Sequence, residues 1–478
     1  MNESMITILF SLSPILVLVF TSLFALFSDL FHIHKKVIFG FTLMGLLLSL
    51  SLTLPIFSYE PIFLFHEAIR IDRYTLFFTF VSLVLTTFTL LNTYPLLKNS
   101  LIPTGEFFFF ILSCCLGMIL LAASTNLMTF FMSLEIMSIC AYVLTGIQRE
   151  KFSSVEGAFK YFLLGAFSTG FLLYGMALLY ACVGSTQYSD ISNFLMTSRY
   201  AIPAIFYIGV GLMLTGFSFK IGAVPFHMWV PDVYEAAHPV VTGFMATAIK
   251  AAAFAALGRL FFVTLLSIQT DWNYIAVIVA IATMTVGNIA ALVQKNLKRM
   301  LAYSSIAHAG YLLVAAAATS GENFELGMSA ILFYIVAYGL MTLGAFSVIE
   351  KDQIQDYAGY GFSRPLLGFF ITVFMLSLTG IPLTAGFLGK FYILGAALKT
   401  KHFVLVVTMI LNSVIAAYYY LRVIVTLYMQ KEKGDQFSSA VSYPVWGTLF
   451  ICAGGTIWLG VWPSSCIKLI KLSIASLL

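Results

Sequence analysis

The sequence predicts an all-α polytopic membrane protein of about 14 transmembrane helices, and three observations predict it. Of 478 residues, 60% are hydrophobic and 9% are charged, against about 25% charged in a soluble globular chain. The mean hydropathy is +0.98. Fourteen apolar runs reach spanning length, which is about 20 residues for a helix crossing a bilayer core. The runs are continuous rather than alternating, which favours helix over a β-barrel. A helix also satisfies its own backbone polar groups where no water can. This composition excludes a soluble enzyme, a disordered chain and a nucleic-acid binder. The formal net charge of +5 is spread too thinly for a polyanion partner.

In order, the predicted spans are 6–28, 37–57, 75–95, 106–123, 127–147, 158–183, 202–222, 240–265, 273–293, 300–319, 326–349, 365–397, 403–429 and 444–463. The first, about Ile6 to Phe27, has no basic leading segment and no A-x-A site. It reads as a helix and not as a cleaved signal. Cys114, Cys115, Cys140, Cys182, Cys452 and Cys466 show no C-x-x-C or Cys/His metal spacing, so a cluster or zinc site is not expected. Neither a G-x-G-x-x-G nor a P-loop is present, and no nucleotide site is signalled.

The connecting segments set the orientation. One side carries Lys35, Lys36, Lys98, Arg149, Lys151, Lys295, Lys298, Arg299, Lys351, Arg364, Lys431 and Lys433; the other carries Arg70, Arg73, Arg199, Lys399, Lys401, Lys468 and Lys471. The positive-inside rule places the richer set in the cytoplasm and both termini on the opposite side.

Six basic residues remain inside apolar runs: Lys160, Lys220, Lys250, Arg259, Lys390 and Arg422, together with Glu135. A charge at mid-bilayer costs at least about 2.5–3.5 kcal/mol, and such residues usually mark an ion pathway. Lys160, Arg259 and Arg422 lie near enough to the ends of their runs to snorkel, so an interfacial anchor competes with function there. Lys250, near the centre of its run with no charged neighbour, and Glu135 read as functional. Two runs also look broken, at Phe217–His227 around Pro225 and at Thr379–Lys390 around Pro382. Each has a lysine, Lys220 or Lys390, close to the proline. Proline removes a helix hydrogen bond and clashes with the preceding turn. Interrupted helices at matching places in two halves point to two inverted repeats; an ordinary proline kink is the plainer alternative. An ammonium taken out of water loses favour against its neutral form, so buried lysines can pass protons under mild conditions. Glu135, Lys220, Lys250 and Lys390 suffice for a relay. His308 could bridge two of them, because a neutral imidazole both donates and accepts, or it could simply be satisfied by a neighbouring helix.

The runs Phe219–Glu235, Leu297–His308 and Ala158–Ala166 resemble the proton-channel subunits of respiratory complex I, which share ancestry with Mrp-type cation/proton antiporter subunits. The resemblance covers about residues 75–430. Within the family, Lys390 in Gly386–Phe391 and the stop soon after the fourteenth run resemble the bacterial N-type chains. M-type chains typically carry glutamate at that lysine, L-type chains add a long lateral helix, and the animal counterpart of the N type lacks the first three helices. The resemblance implies two inverted five-helix repeats, each containing a broken helix. It implies three N-terminal helices over 1–105, half-channels over 106–265 and 273–429, and a C-terminal helix within 430–478. It implies that Glu135 on the fifth helix pairs with Lys220 on the broken seventh, that Lys250 is the central relay lysine of the eighth, and that Lys390 on the broken twelfth ends the path. It further implies that no cofactor binds here: NADH, FMN, iron–sulfur clusters and quinone belong to partner subunits. Expected partners are other complex I membrane subunits, antiporter-like chains and small chains such as chain K, in a bacterial inner membrane with periplasmic termini. One departure is local. After Tyr234-Glu235 the family usually reads G-A-P-x-P-V, whereas this chain reads Ala236-Ala237-His238-Pro239-Val240-Val241. An Mrp-type antiporter and a scaffold whose buried charges only hold helices together remain the alternatives.

Overall fold

In the computed structural model, which describes residues 2–98, 102–197, 202–319, 321–431 and 441–477, the apolar runs are helices. Lys433 and Arg199, two of the residues used for orientation, lie outside the described residues. The order is α1 (Asn2–Ser28), α2 (Lys35–Ile56), a hairpin of β1 (Ile62–Leu64) and β2 (Ile69–Ile71), α3 (Arg73–Asn92), α4 (Thr104–Ala123), α5 (Leu127–Thr145), α6 (Phe152–Val183), α7 (Tyr188–Thr197), α8 (Ala204–Ile221), α9 (Trp229–Ala236), α10 (Pro239–Phe244), α11 (Lys250–Arg259), α12 (Gln269–Leu292), α13 (Leu297–Ala317), α14 (Phe324–Ser347), α15 (Tyr360–Ser363), α16 (Pro365–Thr379), α17 (Ala385–Lys399), α18 (Phe403–Met429), α19 (Tyr443–Val461) and α20 (Ser464–Ala475).

Among the described residues, thirteen helices are long and apolar enough to cross a membrane. The remaining predicted run, 365–397, is two shorter helices, α16 and α17, because Gly380 at φ 92 and Pro382 interrupt it. The run 240–265 is one helix, Pro239–Thr264, but it contains two π-helical turns, Met245–Ile249 and Leu260–Thr264. A uniform apolar pattern cannot distinguish a π-turn from an α-turn, so periodicity does not reveal it. The hairpin, α7 and α20 are too short for the spanning criterion and were not among the predicted elements. Several helix starts are capped. Asp72 Oδ1 accepts from Thr75 N at 2.8 Å, Asn126 Oδ1 from Met128 N at 2.8 Å, and Asn296 Oδ1 from Arg299 N at 3.1 Å. The departure at 236–241 has the same role: His238 Nδ1 accepts from Val240 N at 3.3 Å, with Pro239 at the first helical position, where a missing N–H costs nothing.

Burial is inverted relative to a soluble protein. Large apolar side chains such as Phe20, Met44, Phe159, Phe167, Phe403 and Val414 face outward, while Lys220, Lys250, Arg259, Lys298, His308 and Lys390 are buried. That is the arrangement a lipid solvent dictates.

The chain forms two compact units. The first is Met1–Ile221, Ala248–Trp272 and Lys471–Leu478; the second is Gly222–Thr247 and Asn273–Ile470. In the first unit, α6 and α8 approach through small residues. A Cβ on Gly175 would stand 2.6 Å from Gly209 O, and one on Gly216 would stand 2.8 Å from Leu172 Cβ. Where lipid removes the hydrophobic drive between helices, such backbone approach is what holds them. In the second unit, α12 and α13 meet the same way, with the Cβ position of Gly310 2.6 Å from Met284 N.

Two arginines that read as possible anchors are tied inward. Arg259 forms a two-pronged pair with Asp72, at 2.9 and 3.0 Å, with both side chains buried. Arg422 donates to Leu292 O at 3.0 Å and Gln294 O at 2.5 Å, where α12 ends and carbonyls lack helical partners. Lys298 and Arg299, counted above for orientation, are also paired within the protein. Lys298 Nζ reaches Glu235 O at 2.6 Å and Asp352 Oδ1 at 3.1 Å, and Arg299 Nη1 bonds Asp232 at 2.8 Å and Glu235 at 2.9 Å. Together they fix α9 against the start of α13.

Burial alone would raise the Asp72 carboxyl, but Arg259, the Thr75 N–H and Arg70 outweigh it and hold the group below the ordinary aspartate value. Stability from this carboxylate is therefore complete above about pH 4 and is lost as the pH falls through the depressed value. In detergent, Asp72→Asn is expected to be less stable than wild type at pH 7 by about 3–5 kcal/mol, the cost of stranding a buried cation. The gap narrows below about pH 4; thermal unfolding across pH checks this, and a pH-independent gap would refute the assignment.

Candidate functional site

The residues singled out in the first unit converge on α5 and α8. Helix α5 carries Glu135, Ser138 and Tyr142 at i, i+3 and i+7, which lie along one face. Helix α8 carries Lys220 in its last turn, and the chain leaves the helix at Gly222, whose φ is 73. The side chain is inside: Lys220 is 7% exposed. Its Nζ donates to Ser138 Oγ at 2.5 Å, and Ser138 in turn donates to Leu134 O. The ammonium also lies 5.7 Å from the centre of the Tyr142 ring, within cation–π range. Glu135 is half-buried, accepts from Thr169 Oγ1 at 3.0 Å and attracts Lys220 electrostatically. The hydrogen bond of the ammonium thus goes to a hydroxyl one turn along α5 from the glutamate. A cavity of about 10 Å³ lies between Lys220, Ser168, Thr169 and Tyr142, room for about one water molecule.

Lys250 opens α11 directly after the first π-helical turn and is 6% exposed. Turns of this kind are concentrated at functional positions. The Lys160 side chain is 45% exposed and pairs with Glu156 at 2.9 Å, one turn away on α6, the geometry of the anchoring alternative.

In the second unit, Lys390 sits on the far side of its helix break. Helix α16 ends at Thr379. Gly380, in the left-handed region, returns its N–H to Leu376 O and Ser377 O, both at 3.0 Å. That leaves the carbonyls of Leu378 and Thr379, and Lys390 Nζ donates to them at 3.1 and 2.8 Å. A cation at a helix C-terminus also gains from the macrodipole. The same ammonium lies 5.2 Å from the centre of the Tyr311 ring. An open cavity of about 340 Å³, lined by Thr379, Phe387, Lys390, Phe391 and Ser413 among others, reaches it. The two breaks are therefore not equivalent. Lys220 lies before its break, near Pro225, whereas Lys390 lies after its break and reaches back across Pro382 to the helix before it.

His308 is fully buried and bridges tyrosines rather than lysines. Nδ1 meets Tyr334 Oη at 2.5 Å and Nε2 meets Tyr420 Oη at 3.0 Å, and Tyr420 Oη also bonds Ser304 Oγ. Beside it, Asn288 Nδ2 donates to Tyr311 Oη at 3.0 Å and to Asn412 Oδ1 at 3.2 Å, and Tyr419 Oη donates to Asn288 Oδ1 at 2.9 Å. This tyrosine–amide network escaped the reading of charges, because tyrosine counts as apolar and an amide has no charge. The signal was nevertheless present. Ser304, His308 and Tyr311 fall at i, i+4 and i+7 on α13, and Asn288 and Asn412 are amides well inside apolar runs.

Residues 124–416 match the family described as NADH:quinone oxidoreductase/Mrp antiporter, TM. The chain is 45% identical over 410 residues to NADH-quinone oxidoreductase subunit N of Trichlorobacter lovleyi, covering 84% of this chain and 83% of that protein. It is 38% identical over 462 residues to subunit N 1 of Herpetosiphon aurantiacus, covering 93% and 92%. A chain of respiratory complex I from Thermus thermophilus superposes with a TM-score of 0.81 at 30% identity, over 95% of this chain and 98% of that one. A chain of the Mrp complex from Dietzia sp. has a TM-score of 0.86 over 98% and 97%, but at 17% identity it shares the fold alone.

The cradle of Lys390 makes a prediction. An alanine at 380 would place an L-residue at φ 92 and its Cβ 3.1 Å from Lys390 Cδ. Gly380→Ala is expected to cost about 1–2 kcal/mol and to push the ammonium off the two carbonyls. Thermal unfolding in detergent measures the cost, and a wild-type midpoint would contradict it.

Proposed function

The chain belongs to the subunit N family of NADH-quinone oxidoreductases, and from that premise we propose that it is a proton-translocating subunit of the membrane arm. Protons pass along Glu135, Lys220, Lys250, His308 and Lys390. Lys160 serves as an anchor beside the path. The observation that carries this reading is the burial of three lysines, Lys220, Lys250 and Lys390, each with 6–7% exposure, in a chain whose other Lys and Arg residues are mostly in connecting segments.

Their contacts suit proton exchange. A neutral amine keeps two N–H donors, so the contact of Lys220 with the Ser138 oxygen, whose own proton goes to Leu134 O, survives loss of the lysine proton. Glu135, one turn away, restores the charge when its field is unopposed. Moving one charge against 100 mV costs about 2.3 kcal/mol. A charge-assisted hydrogen bond made or broken is worth about 1.5–3 kcal/mol, so a switch of one contact near Glu135 or Lys220 is of the right size to drive a step.

The redox chemistry belongs to partner chains in this reading, with NADH, FMN, iron–sulfur clusters and quinone bound there and this chain acting without a redox centre. The scattered cysteines, lacking cluster spacing, support it. The partners are other complex I membrane subunits, including antiporter-like chains and small chains such as chain K, and the asymmetry of Lys and Arg supports periplasmic termini in a bacterial inner membrane.

In the assembled complex reconstituted in liposomes, Lys250→Ala is expected to abolish most proton pumping and to depress quinone reduction with it. Undiminished pumping and reductase activity would overturn the relay. Sodium-dependent exchange by the chain in the absence of an electron donor would favour the antiporter reading instead.

A further inference from the structure

Helix α11 is an unusual carrier for a relay lysine. Five of its ten residues are alanine and one is glycine, and all ten are buried. Such a helix packs closely, as α6 and α8 do, but its small side chains mark out no single face against which neighbours could register its rotation. It is also bounded by π-helical turns, Met245–Ile249 before and Leu260–Thr264 after, where the regular hydrogen-bond ladder is interrupted. Little within the helix itself therefore fixes its rotation about its axis.

The grip comes from α3, its approach and the end of α4. Arg259 Nη1 and Nη2 donate to both carboxylate oxygens of Asp72 at 2.9–3.1 Å, Nη2 donates to Thr75 Oγ1 at 3.0 Å, and Nε donates to Ala122 O at 3.2 Å. Tyr74 sets its ring 5.2 Å from the guanidinium and donates its hydroxyl to Ala255 O at 2.8 Å, on the backbone of α11. Asp72 is itself fixed by Thr75 N at 2.8 Å and Arg70 Nε at 3.1 Å. The two grips on α11 fall five and nine residues beyond Lys250. At about 100° and 1.5 Å per residue, Arg259 lies about 13.5 Å along the axis from Lys250 and on the opposite face.

We propose that Asp72 is a positioning residue for Lys250: acting through Arg259, with Tyr74 beside it, Asp72 sets the rotation of α11 and hence the direction in which the Lys250 side chain points. This rests on the relay role given to Lys250 above. A purely structural ion pair would hold the helices together and leave proton transfer indifferent to how the pair is replaced.

The test compares variants in the assembled complex in liposomes, read as protons moved per NADH oxidised alongside the amount of assembled complex. Asp72→Asn combined with Arg259→Gln removes both charges of the pair and leaves only Arg70, which is partly exposed and keeps its bond to Ser476 O, so no fully buried ion is stranded to block assembly. The expected result is assembly near the wild-type level, with the proton ratio reduced toward that of Lys250→Ala. Tyr74→Phe keeps the ring and removes only the bond to Ala255 O; it is expected to lower the ratio in part at unchanged assembly, and Asp72→Glu is expected to retain more of the ratio than the double variant. A double variant that assembles with a wild-type ratio overturns the proposal. If the double variant does not assemble, a wild-type ratio in Tyr74→Phe overturns it. Lys250→Ala, measured in parallel, separates the two readings. A wild-type ratio there sinks the relay itself, whereas loss there with a wild-type ratio in the assembled double variant, or in Tyr74→Phe where the double does not assemble, sinks only the positioning role.

Discussion

A cation placed in hydrocarbon must find its partners in the protein, and the rest of this structure is arranged around that constraint. The buried basic groups meet it in different ways. Arg259 has a full counter-charge in Asp72 and further acceptors on Thr75 and Ala122, so its place is fixed. Lys220 has a hydroxyl and a ring, with a carboxylate one turn off. Lys390 has two helix-end carbonyls and a ring. A fully countered charge resists change, because breaking it strands an ion. A charge held by dipoles can come and go. The fixed pair lies at the far end of the helix that starts with Lys250, and the two dipole-held lysines lie at the helix breaks.

The breaks follow from the same constraint. An unbroken helix spends its carbonyls on its own N–H groups, leaving nothing for a cation in mid-chain. Ending α16 at Gly380 frees the carbonyls of Leu378 and Thr379, and irregular backbone is tolerated there because it lines a polar site. Small residues such as Gly175, Gly209 and Gly216 let α6 and α8 close around Lys220, which leaves only water-sized space beside the ammonium.

Much of this was legible in the sequence. Glu135, Lys220, Lys250 and Lys390 stood out because charge is rare in apolar runs, and Pro225 and Pro382 marked the breaks beside two of them. The spans were readable from hydropathy alone. What escaped had no contrast against its background. Tyr334, Tyr419 and Tyr420 are counted among apolar residues, yet their hydroxyls carry the network around His308. The π-helical turns around α11 leave no mark on composition. Arg259 resembled a snorkelling anchor because Asp72 lies 187 residues away in sequence, and a partner at that distance cannot be inferred from spacing. His238 looked like a disturbed loop until its ring was seen capping the backbone of Val240.

The bridge through His308 has a sense of direction. A neutral imidazole carries one N–H, so it donates to one tyrosine and accepts from the other, and Ser304 follows Tyr420 in line. When a proton enters at one end and another leaves at the opposite end, every O–H and N–H between them is left pointing the other way. A second proton cannot follow until the hydroxyls have swung back and the ring has changed tautomer. On the relay role proposed for His308, the string is a proton wire that has to be reset after each passage.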